Sequence, residues 1–140
     1  MKFINPTSGG IRNDMGGSGY HGAPRGTRLH DGVDFSCEDG ENVLMPVDGT
    51  IIRESLPYGD DLRWRGVHIA SSRIEIKMWY FEPRVGIIGN TYRAGTAIGI
   101  AQNIGSKRGY EGVTPHIHLR IVKIDPLLLF KIEDDYTIIR

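Results

Sequence analysis

Three histidines and two aspartates fall in two short motifs near opposite ends of the chain. His30-Asp31-Gly32-Val33-Asp34 is the first and Thr114-Pro115-His116-Ile117-His118 the second. Only two other histidines, His21 and His68, occur in the sequence. A catalytic zinc takes three protein ligands and keeps one position open, and histidine and aspartate both suit it. On a strand, His116 and His118 share one face about 6.6 Å apart, so one can take an ion while the other faces water or substrate. His30 and Asp34 would stand about 13 Å apart on a straight strand, too far for zinc–ligand distances of about 2.0–2.2 Å. The chain is therefore expected to bend between them, and Gly32 permits a bend.

The elements that must position these residues read as strands. Val33 to Ser36 is the first. Asn42 to Pro46 and Thr50 to Glu54 flank Val47-Asp48-Gly49, a hairpin signal because Asp-Gly tolerates positive φ. Trp64 to Ser71 and Arg73 to Phe81 form a pair around Ser71-Ser72. In the second of these, Ile74, Ile76, Met78 and Tyr80 alternate with Glu75 and Lys77, as in a half-buried strand. Thr96 to Gln102 and His116 to Ile124 follow. Asp125-Pro126 reads as an N-cap with proline at the first helical position. Leu127 to Ile132 is expected as one or two helical turns, with Leu127 to Phe130 docked on the core, and Tyr136 to Ile139 as a last strand. Residues 7 to 29, rich in Gly, Ser, Asn and Arg, are expected to form a long ordered loop walling the site.

Composition narrows the alternatives. Nineteen glycines and seven prolines in 140 residues point to a turn-rich, mainly β protein, a compact antiparallel sheet domain with little helix. The length fits one domain over residues 1–140. Seventeen basic and seventeen acidic residues cancel, so no global field draws the chain to nucleic acid or to an anionic membrane. Lys107-Arg108 is too small a basic cluster for a nucleic-acid footprint. Cys37 is alone, which excludes an internal disulfide and a cysteine-based zinc cage; it is expected as a small buried hydrophobe. The first residues lack the apolar stretch of a signal peptide, and no run approaches the roughly 20 apolar residues of a membrane span. Synthesis in a cytoplasm, with delivery by some other route, is the expectation.

The two motifs and their surroundings resemble the lysostaphin/LytM-type zinc endopeptidases. Gly19-Tyr20 with Arg28-Leu29-His30-Asp31-Gly32-Val33-Asp34-Phe35 is similar to the opening motif of that family. The stretch from Gly40 to Ile51, the Gly-containing segment Arg93 to Gly99 and the closing Thr114 to Ile121 resemble its later motifs. The resemblance covers roughly residues 5 to 127. It implies a groove across an antiparallel sheet, walled by loops, with zinc (Zn2+) held by His30, Asp34 and His118. It also implies His116 as the residue that handles the proton, and the peptide cross-links of bacterial peptidoglycan as substrate.

One position departs from the pattern. The family carries a further histidine in a middle strand, where this chain has Lys77-Met78-Trp79-Tyr80-Phe81-Glu82. Tyr80 or Phe81 stands in its place. Of the two, only Tyr80 has a hydroxyl that can donate to a developing oxyanion, so it is the candidate second catalytic group. The sequence thus reads as a zinc endopeptidase of bacterial cell walls, acting after release or as part of a phage particle, where other virion proteins would be its partners. The alternative is a weak or inactive member that keeps its zinc site as a structural or binding module. His21 and His68 read as a loop residue and a structural residue, and Trp64 and Trp79 as core or groove-wall packing.

Overall fold

The computed structural model describes residues 3–132 and 138–139. Four two-residue strands come first: β1 (Asn13–Asp14), β2 (Gly17–Ser18), β3 (Pro24–Arg25) and β4 (Arg28–Leu29). The main strands are β5 (Val33–Ser36), β6 (Asn42–Leu44), β7 (Gly49–Glu54), β8 (Gly66–Ala70), β9 (Ile74–Trp79), β10 (Phe81–Pro83), β11 (Thr91–Tyr92), β12 (Ala97–Ala101) and β13 (His116–Ile124). The last are β14 (Lys131–Ile132) and β15 (Ile138–Ile139). Every pairing is antiparallel, and the helix is confined to short 3-10 turns at Ile104–Ser106 and Pro126–Leu129. Among the described residues no helix is long and apolar enough to cross a membrane.

A six-stranded sheet in the order β11-β7-β8-β9-β13-β5 packs against a three-stranded sheet in the order β10-β12-β6. Strand alternation divides the large sheet into two faces. Ile74, Ile76 and Met78 of β9 and Ile117 of β13 enter the core with Val43, Ile51, Ile69, Phe81 and Ile98. His116 and His118 point to the opposite face, which the 7–29 segment and two later loops cover. That segment is ordered as two tiny hairpins, β1–β2 and β3–β4, and is tied to β5 by an Ile11–Phe35 bridge.

Two expectations need correction. First, β6 and β7 do not form a hairpin: β6 pairs with β12 in the small sheet, and β7 with β8 and β11 in the large one. Met45, Pro46 and Val47 are all buried, so the turn carries the chain across the core edge from one sheet to the other. Apolar burial outweighs the local Asp-Gly preference, and Gly49 lacks the positive φ that a primed turn requires. Second, Leu127, Leu129 and Phe130 are exposed rather than docked. Leu127, Leu128 and Phe130 line a shallow groove with Ile4, Val47 and Ala70, at the end of the sheet opposite the histidines. The Asp125 cap does form, with its side chain accepting from the Leu127 amide at 3.0 Å, but it starts a 3-10 turn. Gly32 lies in the expected bend, without a positive φ. It gives room, since a Cβ there would lie 2.4 Å from the Leu119 carbonyl and 2.7 Å from the His118 ring. Of the expected last strand, Ile138–Ile139 pairs with Lys131–Ile132, while Tyr136 and Thr137 lie outside the described residues.

Ile117 joins core to site, because its side chain is fully buried between two site histidines on the same strand. Ile117→Ala is expected to lower stability by about 2–5 kcal/mol in denaturant unfolding. Ile121→Ala, at a half-exposed position of that strand, should change it by no more than about 0.5 kcal/mol.

Candidate metal centre and its cleft

β13 lies between β5 and β9, and its register sets Asp34 and Trp79 on either side of His118. His30 precedes β5, and the bend there brings its ring back over the strand. His118 Nδ1 is 2.9 Å from Asp34 Oδ1, and His30 Nε2 is 3.2 Å from each of those atoms. Three donor atoms thus form a small triangle that could hold a metal ion, and all three residues are buried. Tetrahedral zinc at about 2.0–2.2 Å from each ligand needs donor separations of roughly 3.3–3.6 Å, close to what is seen.

The tautomers favour the same use. His30 Nδ1 lies 3.0 Å from the Tyr20 carbonyl and donates to it, so the Nε2 lone pair faces the triangle. His116 Nδ1 donates to the Thr114 carbonyl at 2.7 Å, which turns the lone pair of its own Nε2 toward Asp34, 3.7 Å away. His118 Nε2 is buried without a hydrogen-bond partner, 3.3 Å from Asp31 Oδ1. With Nδ1 serving as a ligand, Nε2 carries the proton and faces that carboxylate, the usual arrangement behind a metal-bound histidine.

Asp34 is the electrostatic centre. Burial alone would raise its pKa. The hydrogen bond with His118 and the adjacent His116, His118 and His30 outweigh burial and hold it at about 2. Arg12, itself buried, donates from Nε to Asp34 Oδ2 at 3.1 Å and from Nη1 to Asp14 Oδ1 at 2.6 Å. Asp14 in turn accepts from the Thr114 amide at 2.7 Å. One buried network therefore fixes a candidate ligand, Asp34, and the segment that orients His116. Burial lowers the His116 pKa despite the neighbouring Asp34 carboxylate, which favours the neutral ring.

Of the two residues at the departing position, Phe81 is in the core and Tyr80 is in the cleft. Tyr80 has φ +82°, the one non-glycine among the described residues with positive φ. That kink between β9 and β10 turns its ring edge-on to His116, with centroids 5.3 Å apart. Its hydroxyl is 2.9 Å from the Tyr58 hydroxyl, which donates to the Tyr110 hydroxyl at 2.9 Å. A tyrosine has one proton to give, so Tyr80 donates to Tyr58. Burial pushes the Tyr80 pKa up to about 12, and the Lys107 ammonium sits 4.8 Å from the Tyr58 ring centroid. Trp79 forms the cleft floor, stacked on His118 and anchored by its indole N–H to Ser55 Oγ at 2.9 Å.

The remaining candidates lie elsewhere. His21 is exposed and does not line the cleft. Trp64 packs with Tyr80 and Ile104. Burial pushes the Cys37 thiol up to about 12. His68 is buried, accepting from Arg53 at Nδ1 (2.9 Å) and donating from Nε2 to Glu75 (3.0 Å). The sequence reading missed Arg12, Asp14, Tyr58 and Tyr110. Arg12, Tyr58 and Tyr110 lie outside the strands and Asp14 in a two-residue one, none with periodicity, and the partners lie 22 to 100 residues away.

Two predictions follow from these contacts. Arg12→Met should weaken the affinity of this site for a divalent metal about 10–100-fold, the usual effect of losing a group that holds a ligand, read by competition with a chromophoric chelator. Burial, with Arg53 alongside, lowers the His68 pKa below 6.5. The unfolded chain then takes up a proton that the folded chain refuses. The stability His68 contributes is complete above about pH 6.5 and is lost as pH falls through that value. His68→Gln should therefore lose less stability than the parent between about pH 7 and 5.5, as measured by urea midpoints.

No protein-family profile matches the chain. It is 33% identical over 109 residues to leukocyte cell-derived chemotaxin-2 of Bos taurus, covering 76% of this chain and 68% of that protein. Among solved structures it is similar to the catalytic domain of the antimicrobial peptidase lysostaphin from Staphylococcus simulans. That match has 23% identity and TM-score 0.57, and covers 81% of this chain and 82% of that one. Against a fuller lysostaphin the chain spans 49% of the length. It is also similar to a mutant catalytic domain of a prophage-encoded M23 protein from Enterococcus faecalis. There the identity is 16% and the TM-score 0.61, with 87% and 86% of the two chains covered. At these identities the structural likeness is one of fold.

Proposed function

This chain belongs to the family of leukocyte cell-derived chemotaxin-2 and carries the fold of M23 peptidase domains, and from that premise we propose that it is a zinc-dependent endopeptidase of bacterial cell-wall peptides. The observation that carries the reading is the buried triangle of His30 Nε2, Asp34 Oδ1 and His118 Nδ1, with the His116 Nε2 lone pair beside it. Those three residues would hold the ion. When bound, zinc supplies Lewis acidity to a carbonyl and lowers the pKa of water. His116 accepts a proton from the attacking water at Nε2 and returns it to the leaving amine. Arg12 keeps Asp34 Oδ2 engaged, which leaves Oδ1 for the ion. Trp79 and the tyrosine wall exclude bulk water from one side.

Tyr80 is the candidate donor to the oxyanion, at a site turned toward His116 by its strained backbone. Its proton becomes available when the hydroxyl chain reverses, with Tyr110 donating to Tyr58 and Tyr58 to Tyr80. A chain in which Tyr58 donates to Tyr110 and Tyr80 to Tyr58 leaves Tyr80 no proton for an oxyanion, which favours a second reading: a zinc-holding module that binds wall peptide without cleaving it.

The deciding experiment is digestion of purified peptidoglycan from several wall types, with and without chelator, read by mass spectrometry. New peptide ends that vanish with chelator are expected. His116→Ala should cost about 10²–10⁴ in rate, and Tyr80→Phe about 10²–10³, both with one zinc per chain retained. Full zinc occupancy with no new ends from any wall would leave the binding module as the function.

A further inference from the structure

The exposed face of the large sheet carries a second row of residues beside the metal row. In register across four strands stand Arg53 of β7, His68 of β8, Lys77 of β9 and Arg120 of β13. The neighbouring row runs Gly66, Trp79, His118 and Asp34. Site-facing positions on one strand are about 6.6 Å apart, and three strand spacings set Arg53 roughly 14 Å from Arg120. Like charges on adjacent strands destabilise a sheet, yet here cations occupy neighbouring strands with only a neutral histidine among them. His68 is held neutral at the centre by accepting from Arg53 and donating to Glu75.

The carboxylates nearby answer the Arg120 end of the row and leave Lys77 and Arg53 without an ion pair among the described residues. Asp31 pairs with Arg120 at 3.0 Å, and Glu75 is divided between His68 and Lys123. The Arg120 guanidinium lies over the Trp79 ring, 5.6 Å from its centroid, so the charge lies directly over the cleft floor. Arg28 lines the same cleft of about 460 Å³ from the opposite wall. A chain of zero net charge has thus concentrated cations beside the one cleft that holds its metal-competent triangle.

We infer that this row is a carboxylate subsite, and that the cleft takes an acidic peptide whose carboxylates lie one to two residues from the group at the His30–Asp34–His118 centre. The inference rests on reading the cleft as a peptide site and adds the charge of the peptide. Arg120 stands one site-facing position beyond His118, which is the reach of one to two extended residues. Lys77 and Arg53 continue the row for a second carboxylate.

The test is binding rather than turnover. The zinc-loaded chain is titrated at low salt with acetyl-Gly-Ala-Glu-Glu-amide and with its isostere acetyl-Gly-Ala-Gln-Gln-amide, followed by fluorescence of Trp79. The glutamate peptide should bind about tenfold more tightly, and the preference should shrink at about 0.5 M salt. Lys77→Met and Arg53→Met should each reduce the preference at least about threefold; the thermal midpoint should stay level or rise in Lys77→Met as like-charge repulsion is relieved, and fall in Arg53→Met, which also removes the donor to the buried His68 Nδ1. Equal affinity for the two peptides, no saturable binding of either, or a preference untouched by both substitutions overturns the inference. So does displacement of the glutamate peptide by inorganic phosphate at equal concentration, which would indicate a general anion site. A glutamate preference without wall cleavage keeps this inference and retires the endopeptidase. Wall cleavage with equal affinities does the reverse.

Discussion

A carboxylate taken out of water must have its charge answered, and the whole site is arranged around that requirement at Asp34. Before an ion binds, the N–H at His118 Nδ1 donates to it, and that bond with the neighbouring histidines outweighs the cost of burial, while the buried Arg12 donates to its other oxygen. Removing one partner of such a group leaves an uncompensated charge, which is far more costly than replacing the whole set by apolar residues. The N-terminal wall is held in place by the same need. Arg12 reaches Asp34 and Asp14, Asp14 reaches the Thr114 amide, and the Thr114 carbonyl orients His116. A segment with few apolar residues is thereby ordered through polar contacts made to the site it encloses.

The sheet makes this arrangement possible by separating its two faces. On β13, Ile117 anchors the strand in the core while His116 and His118 look outward, and on β9 Met78 does the same for Trp79. The ligand cluster therefore sits on a floor that is as rigid as the core beneath it. Preorganised donors need no rearrangement when charge develops, which is the usual source of electrostatic stabilisation in enzymes. The stacked Trp79 further limits rotation of the His118 ring.

Tyr80 breaks the sheet to reach the same cleft. Its positive φ ends β9 and starts β10 in the other sheet, so one strained residue sends Phe81 into the core and its own ring to His116. The Tyr58 and Tyr110 hydroxyls then link the two loops that wall the cleft. Any proton donation by Tyr80 would be tied to loop position, because the direction of the hydroxyl chain depends on all three rings.

Much of this was legible in the chain. His30, Asp34, His116 and His118 are separated by fixed short spacings, and the two-residue period of a strand determines which of them share a face. The β13 boundaries and the start of β9 were readable for the same reason, as was the Asp125 cap, whose signal is local; the end of β9 was not, because the Tyr80 kink stops the strand at Trp79 rather than Phe81. Where local signals competed with burial, the sequence misled: Asp48-Gly49 turns between two sheets, and Leu127 to Phe130 stay exposed on a groove. Tyr80 and Phe81 were indistinguishable as letters, since only the backbone kink decides which of two adjacent side chains faces the cleft. The pairing of Arg12 with Asp34, the tyrosine chain and the basic row across four strands were decided by tertiary structure alone. Each joins residues far apart in sequence, and strand order and register exist only once the sheet has formed.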